Sequence, residues 1–282
     1  PDTARVRIPA TTANLGPGFD ALGIALRLAN TVTVSRNDAP PPEKMIAEAA
    51  DRFFTAASLT PFPFAWEISG DVPRSRGLGS SVTVRLGILH SLNELTDRPL
   101  APDAIYRLCA DLEGHPDNAA PAAFGGFTVA RRNNDYQRFR VTPDLNFVLL
   151  IPDFEVETEA ARTVLPATIP FREAVTNVAN TAAITAALAS RNYPALAGCF
   201  EDHLHQPQRA ALVPCLSAVL GAAREVGALG GWLSGSGSTV ACVTLDDPDP
   251  IAEAMIHASG CPGARTVTTT ADNRGVLILT PR

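Results

Sequence analysis

The stretch Pro73–Ser81, which reads PRSRGLGSS, constrains this chain more than any other. Gly77, Gly79 and the pair Ser80–Ser81 stand directly before an apolar run that extends to Leu95. Glycine lets a backbone turn tightly around a ligand, and the first amides of a helix have no partner within that helix. A loop and helix of this kind can hold a phosphate group. An ordinary glycine turn with a serine cap has the same residues, so the loop alone leaves both interpretations open.

The charged residues limit how such a phosphate would be bound. Lys44 is the only lysine among 23 basic residues, and the net charge is −6. A Walker-type phosphate loop is excluded, because its lysine must directly follow a glycine. Backbone amides, arginines and a metal ion would have to hold the phosphate. The negative balance also argues against a nucleic-acid partner.

The composition is that of a globular protein, with 46% hydrophobic and 18% charged residues among 282. This length suits one large domain or two ordinary ones. Five scattered cysteines without a Cys-x-x-Cys pair indicate neither a disulfide framework nor a zinc site. Residues 1–8 are unlike a signal peptide, and no apolar run is long enough to span a membrane. We expect a soluble, cytoplasmic protein with no membrane partner.

Hydrophobic periodicity divides the chain into elements, with a break at Pro40–Pro42. The first half is predicted to contain strands at residues 4–10, 30–35, 62–68, 126–131 and 137–141, and helices at 43–58, 81–95 and 102–113. The second half is predicted to contain strands at 146–151, 229–234, 239–244, 264–270 and 275–280, and helices at about 172–190, 193–204, 213–227 and 250–259. A boundary before Asn146 gives domains of residues 1–145 and 146–282. The second has the β-α-β-β-α-β order of a split βαβ, or ferredoxin-like, domain.

Polar residues cluster in two further loops, around Asn14–Asp20 and Glu113–Asn118. Turns, helix ends and caps explain any one of them, but explain the whole set less well. A third loop, Ser234–Ser238, reads SGSGS. It is either a flexible hairpin or a backbone that must approach another group closely.

Taken in order, the stretches 13–20 (ANLGPGFD), 77–81 (GLGSS) and 233–237 (LSGSG) resemble the GHMP small-molecule kinase superfamily. Within it, EGHPDN at 113–118 and the matched stretches at 158–166 and 205–209 resemble the homoserine kinases. The resemblance covers residues 4 to about 245. It implies an α+β GHMP kinase fold, with an N-terminal ribosomal-protein-S5-domain-2-like domain and a C-terminal ferredoxin-like domain. It also implies transfer of the γ-phosphate of ATP to the side-chain hydroxyl of L-homoserine, a step towards threonine.

The resemblance assigns roles to individual residues. Nucleotide binding falls to Pro73, Arg76, Gly77, Leu78, Gly79, Ser80, Ser81, Gly235, Ser236 and Gly237. Mg²⁺ binding falls to Ser81 and Glu113. Acceptor binding falls to Asn14, Asp20, His115, Asp117, Asn118, Thr158, Arg162 and Arg209. Asp20, Asn118, Ser81 and Glu113 are the candidate catalytic residues, and a homodimer is expected from the family.

The chemistry of a zwitterionic acceptor supports these roles independently. Its carboxylate needs a cation, for which the guanidinium fork of Arg162 or Arg209 is suited, and its ammonium needs an anion such as Asp20. Phosphoryl transfer depends mainly on positioning and charge neutralisation, so we expect no indispensable general base. Two alternatives remain open: a related kinase acting on mevalonate or a sugar-like alcohol, and a non-catalytic relative that binds a ligand.

Three positions depart from the family pattern. Arg85 stands where small residues are usual, and its role is not fixed by the sequence. The segment from Pro40 to Ala50 lacks the usual asparagine, so we assign no residue to the adenine. Gln208 replaces a common aromatic, which predicts a more open wall for the acceptor pocket.

Overall fold

The structure, a computed structural model, describes residues 2–37 and 43–279. The predicted break at Pro40–Pro42 and the last residue of the predicted strand at 275–280 lie outside these residues. The first part of the chain contains β1 (Thr3–Ala13), β2 (Leu22–Arg36), α1 (Lys44–Ala57), β3 (Phe64–Gly70), α2 (Ser80–Leu95), α3 (Pro102–Glu113), α4 (Ala119–Phe124), β4 (Phe127–Ala130) and β5 (Tyr136–Phe139). The second part contains β6 (Asn146–Ile151), α5 (Thr158–Thr163), α6 (Phe171–Ser190), a 3₁₀ turn (Tyr193–Leu196), α7 (Gln206–Arg209), α8 (Leu216–Glu225), β7 (Gly230–Leu233), β8 (Val240–Thr244), α9 (Asp249–Ser259), β9 (Arg265–Thr269) and β10 (Leu277–Ile278).

The first sheet is built on the long antiparallel pair β1–β2 and has the order β10-β1-β2-β4-β5, with β3 also pairing β2. Alternate residues of β1, such as Val6 and Ile8, point into a core shared with α1, α2 and α3. The helix α2 is buried on nearly its whole circumference, with Leu86 and Leu89 fully inside. A helix that is apolar all round must lie within the core, so the amino end of α2 is held still.

The second sheet is antiparallel with the order β7-β8-β6-β9, which is the ferredoxin-like order predicted from the sequence. Successive side chains of β6 point to opposite faces of the sheet and pack into two different cores. Val148 and Leu150 pack with α8 and α9, whereas Phe147 and Leu149 pack in a cluster that includes Leu15 and Leu22. The second sheet is therefore joined to the first part of the chain by apolar packing as well as by covalent connection.

In the second half, one predicted strand joins the first sheet and one predicted helix was wrong. The terminal strand β10 does not extend the second sheet but pairs with β1, so the chain beyond Asn146 contributes to both sheets. Asp272 directs this return, because its carboxylate pairs with Arg7 of β1 at 2.8 Å and accepts the amide of Arg274 at 2.7 Å. The helix predicted at 193–204 is only the short turn Tyr193–Leu196, since Gly198 follows in a left-handed conformation.

Three short helices, α4, α5 and α7, had not been predicted. They are four to six residues long, which is too short for a periodic pattern to show. Across residues 2–37 and 43–279, no helix has both the length and the apolar character needed to cross a membrane.

Candidate active site

The glycine loop is shaped by left-handed backbone at Gly77 and Gly79, whose φ angles are 73° and 71°. Gly79 caps α2, so the helix begins directly after the turn with its first amides free of helical partners. A side chain would not fit there, because a Cβ on Gly79 would lie 2.2 Å from Thr11 Oγ1. The amino end of α2 therefore presents bare backbone to the cleft, as an anion site requires.

Hydrogen bonds join this loop to the SGSGS loop of the second half. Ser234 Oγ donates to the Gly77 carbonyl at 2.6 Å, and the Thr239 amide donates to the Arg76 carbonyl at 3.2 Å. The Asn14 side chain donates to the Gly235 carbonyl at 2.9 Å, which adds the third matched loop. The Ser234–Ser238 backbone thus approaches the glycine loop closely, and the three loops form one unit.

The three loops border a cleft of about 420 Å³. The charged and polar side chains that line the cleft include Asn14, Asp20, Glu113, His115, Asp117, Asn118, Thr158, Arg162 and Arg209. The lining also includes apolar side chains that the sequence did not single out, namely Met45, Ile46, Trp66 and Val84. The glycine loop and the SGSGS loop contribute Arg76, Gly77, Gly79, Ser80, Ser81, Gly235 and Ser236 to the same lining.

Ser81 and Glu113 are brought together beside the loop. Ser81 Oγ donates to Glu113 Oε2 at 2.9 Å, although the two residues lie on different helices. A hydroxyl beside a carboxylate is a donor set that suits Mg²⁺, which is satisfied by few protein ligands when phosphate oxygens and water complete its shell. These residues therefore fit the cation that the family implies.

Arg85, whose role the sequence left open, pairs with the same carboxylate. Its Nη1 lies 2.5 Å from Glu113 Oε1 and donates to the Leu112 carbonyl at 2.9 Å. The Glu113 side chain is only 8% exposed, so an unpaired charge there would be costly. Arg85 lies one helical turn after Ser81 on α2 and therefore shares its face. It compensates the Glu113 charge and fixes the orientation of the carboxylate.

Asp20, His115, Asp117, Arg162 and Arg209 lie near one another in the cleft, and we call this part its acceptor end. It contains a bidentate ion pair between Asp20 and Arg162. The two distances, from Arg162 Nη2 and Nη1 to the carboxylate oxygens, are 2.8 and 3.1 Å. Partial burial of Arg162 works against its charged form, but the hydrogen bonds to Asp20 outweigh this and raise the pKa of Arg162. The pair therefore places a positive and a negative group side by side in the cleft.

Arg209 is the buried cation of this end, with 2% of its surface exposed. Burial, followed by the nearby Arg162 charge, lowers the pKa of Arg209 to about 10, so it stays charged at neutral pH. Phe19, which sequence reasoning missed, contacts both arginines, with ring-to-guanidinium distances of 5.6 Å for Arg162 and 5.2 Å for Arg209. Both charges are therefore within cation–π distance of one aromatic ring.

His115 and Asp117 form a second polar pair in the pocket, with His115 Nδ1 2.6 Å from Asp117 Oδ1. Burial disfavours the charged imidazole, but the bond to Asp117 outweighs it and raises the pKa of His115. Ligating atoms of Asp20, His115 and Asp117 lie within 4.8 Å of one another. Asn118 is fixed beside them, since its Oδ1 accepts from Thr11 Oγ1 at 2.7 Å. The carboxylates of Asp20 and Asp117 make this cluster suited to bind a positively charged group.

Some of the predicted nucleotide-binding residues lie outside the lining of the cleft, and one is bonded within the protein. Leu78 is buried in the core, and Pro73 and Gly237 are not among the described residues that line the cleft. Arg76 turns its guanidinium towards the segment after β6, where it donates to the carbonyls of Pro152 at 2.9 Å and Asp153 at 2.5 Å. Arg76 therefore orders the wall of the cleft that it lines.

Asn14 also acts within the protein. Its Nδ2 donates to Gly235, and its Oδ1 accepts the Asp20 amide at 3.0 Å. Both ends of its amide group are thereby engaged, and this shapes the turn that carries Asp20. The short spacing from Asn14 to Asp20, dense in turn-forming residues, was the signal that an internally bonded loop would form.

Comparison with known proteins identifies this fold and cleft as those of a small-molecule kinase. The model of the GHMP kinases N terminal domain matches residues 44–126, and that of the GHMP kinases C terminal matches residues 183–260. A homoserine kinase from Moorella thermoacetica is 36% identical, with 97% of this chain and 99% of that protein covered. The chain belongs to the GHMP kinase family, in its homoserine kinase branch.

Solved structures agree on the fold. A homoserine kinase structure from Cytophaga hutchinsonii superimposes with a TM-score of 0.90 at 24% identity, covering 99% of this chain and 98% of that one. The mevalonate kinase of Methanococcus jannaschii has a TM-score of 0.73 at 15% identity, covering 95% and 98%. Because enzymes of different substrates share the fold, the acceptor must be argued from the residues of the cleft.

Proposed function

We propose that this kinase transfers the γ-phosphoryl group of ATP to the side-chain hydroxyl of L-homoserine, giving O-phospho-L-homoserine for threonine biosynthesis. The observation that carries the proposal is the acceptor end of the cleft. Two arginines and the carboxylates of Asp20 and Asp117 line it beside the phosphate loop. A zwitterionic amino acid needs both signs of charge, whereas mevalonate has no ammonium group for the carboxylates.

The nucleotide end would bind the polyphosphate through the backbone at Gly79–Ser81 and the amino end of α2. Ser81 and Glu113 would hold Mg²⁺, which supplies charge neutralisation at the phosphate oxygens. The apolar side chains of Met45, Ile46 and Trp66 provide a surface for the base. Trp66 offers a flat face for stacking against the base.

At the acceptor end, Arg209 and Arg162 would bind the carboxylate, with Thr158 beside Arg162. Asp20 and Asp117 would bind the ammonium. Asp20 pairs with Arg162 at 2.8 Å. On binding, the substrate ammonium would replace Arg162 as the partner of Asp20, and the substrate carboxylate would replace Asp20 as the partner of Arg162. His115 and Asn118 would orient the hydroxyl.

In the reaction, a bond forms between the hydroxyl oxygen and the γ-phosphorus, and the bond from that phosphorus to the β–γ bridging oxygen breaks. The hydroxyl proton is released to water or to an oxygen of the transferred phosphoryl group, and ADP leaves with the bridging oxygen. The transition state is loose and draws little on a strong base. We therefore assign Asp20 and Asn118 to orienting the acceptor, through its ammonium and its hydroxyl. Ser81 and Glu113 would hold the Mg²⁺ that neutralises the phosphate charge, and none of the four is an indispensable general base.

A coupled ADP-release assay with three acceptors tests the activity. Homoserine should be turned over, whereas mevalonate and shikimate should give ADP at no more than the acceptor-free rate, because neither has an ammonium group. Chelation of divalent cations should stop turnover, and Mg²⁺ should restore it. Turnover with mevalonate would instead support the other kinase class. Calorimetric binding of homoserine without turnover at saturating MgATP would support a non-catalytic relative.

A homodimer in the cytoplasm is the assembly that we propose for this enzyme. Its support is an apolar stripe on α6, where Phe171, Val175 and Val178 are 85%, 53% and 70% exposed. A second copy would cover these side chains, which otherwise face water. Light scattering should give about twice the single-chain mass of 29.7 kDa, whereas a value near the single-chain mass would refute the dimer.

A further inference from the structure

We propose that His205 is a positioning residue that holds the Arg209 guanidinium ready for the carboxylate of the acceptor. This inference rests on the proposed function, since it concerns the same pocket. The His205 side chain is fully buried and lies immediately before α7, the helix that carries Arg209. It is therefore shielded from solvent and does not line the cleft itself.

The two ring nitrogens of His205 have different partners, and these fix its tautomer. Nε2 lies 2.9 Å from the Gly16 carbonyl, which can only accept a hydrogen bond, so Nε2 carries the proton. Nδ1 lies 3.3 Å from Arg209 Nη1 and is then left unprotonated to accept from that guanidinium. The neutral ring thus connects the loop of Gly16 to Arg209.

The charged groups that face the ring are Asp202, Arg209 and Asp20. Burial, the largest influence, lowers the pKa of His205 to about 4, so the neutral ring persists at physiological pH. Asp202 Oδ2 lies 3.4 Å from His205 Nε2, and this second acceptor also favours the proton on Nε2. The same carboxylate accepts the amides of Leu204, His205 and Gln206, which hold it in place. A protonated Nδ1 would turn a donor and a positive charge towards Arg209, so the neutral form is the one that fits.

The bonds of Arg209 show what this arrangement achieves. Nε donates to the Ala161 carbonyl at 2.9 Å, and Nη1 donates to the Gly235 carbonyl at 3.0 Å as well as to His205. These bonds use every hydrogen on Nε and Nη1. In the described part of the chain, Nη2 has no protein partner, and its two hydrogens are left for a carboxylate in the cleft that Arg209 lines.

His205 also joins this cation to the loop that carries Asp20. Its ring stacks on Phe19 with centroids 5.1 Å apart, and Gly16 lies in the same loop. The carboxylate site and the ammonium site therefore share one buried residue that touches neither ligand. Such a residue acts on acceptor affinity through Arg209 and leaves the nucleotide end alone.

Two conservative variants separate the two ring nitrogens. His205→Asn keeps an acceptor near the place of Nδ1, and His205→Gln keeps a donor near the place of Nε2. We expect His205→Gln to raise the homoserine KM by about tenfold or more, because it loses the bond to a charged group, while kcat and the ATP KM change little. We expect His205→Asn to stay much closer to the wild type.

The double variant His205→Gln/Arg209→Met distinguishes positioning from packing. If His205 acts through Arg209, adding His205→Gln to Arg209→Met should raise the homoserine KM no further, whereas a packing defect would add its own effect. Calorimetry of homoserine binding without nucleotide gives the same comparison independently of turnover. Only variants whose thermal unfolding resembles that of the wild type enter the comparison.

Equal homoserine affinities for the Asn and Gln variants, or an additive double variant, would overturn the inference. Failure of the wild type to bind homoserine would instead refute the proposed function, so the two outcomes are distinguishable. A wild-type enzyme that binds homoserine, with a weakened Gln variant and a largely preserved Asn variant, supports the positioning role.

Discussion

The variant Arg209→Met should raise the homoserine KM by roughly 30-fold or more while leaving the ATP KM nearly unchanged. Truncating one member of a desolvated charge pair costs about 2–5 kcal/mol, and each 1.4 kcal/mol corresponds to about tenfold in affinity. Arg209 is 2% exposed, so water cannot replace it as the partner of the substrate carboxylate. Steady-state kinetics with each substrate varied in turn measures the effect.

A matched control is Arg172→Met, which removes an exposed arginine from the first turn of α6. Its kinetics should equal those of the wild type, because a solvated surface charge contributes little. Arg162→Met should fall between the two, since the Arg162 side chain is 36% exposed and its charge is partly screened. An unchanged homoserine KM in Arg209→Met would show that Arg209 does not bind the homoserine carboxylate.

The variant Asp20→Asn tests whether Asp20 acts as a general base. It should weaken homoserine binding, because the ammonium loses its anion, yet retain measurable kcat at saturating homoserine. A kcat that falls below detection while homoserine still binds would show that Asp20 serves as an indispensable base. The comparison with Arg209→Met separates loss of binding from loss of chemistry at one end of the cleft.

The long elements were predictable because their periodic patterns span several turns or strand residues. The helix predicted at 102–113 is Pro102–Glu113, and the strand predicted at 146–151 is Asn146–Ile151. Proline and glycine mark these boundaries in the sequence. The β10 pairing was not predictable, because two residues carry no pattern and their partner β1 lies at the other end of the chain.

The membership of the site was more predictable than the task of each residue. The matched stretches brought Asp20, Asn118 and Glu113 to one cleft, but they did not reveal that Arg76 bonds to the segment after β6. Arg85 and His205 show the same limit. Their partners are on other elements, so their tasks follow only once helices and loops are packed together.

The variant Gly77→Ala should destabilise the fold by at least about 2 kcal/mol and raise the ATP KM, because two costs combine at this residue. Its φ of 73° disfavours any residue with a Cβ, and that atom would lie 2.0 Å from the Ser234 carbonyl oxygen. The new Cβ would meet a backbone carbonyl, so no rotation of a side chain can relieve the clash. The two loops must separate, and the phosphate loop loses its support from Ser234–Ser238.

Two other glycines provide the controls for this variant. Gly198 has a φ of 79° and open space around its Cβ position, so Gly198→Ala measures backbone strain alone. Gly221, within α8, has open space and ordinary helical backbone, so Gly221→Ala should be neutral or stabilising by up to about 1 kcal/mol. Urea unfolding of the three variants should rank Gly77→Ala as least stable, then Gly198→Ala, then Gly221→Ala. Because Gly198 lies outside the cleft, only Gly77→Ala should also change the ATP KM. An equal loss of stability in Gly77→Ala and Gly198→Ala would mean that the junction of the two loops contributes nothing beyond the strain of one residue.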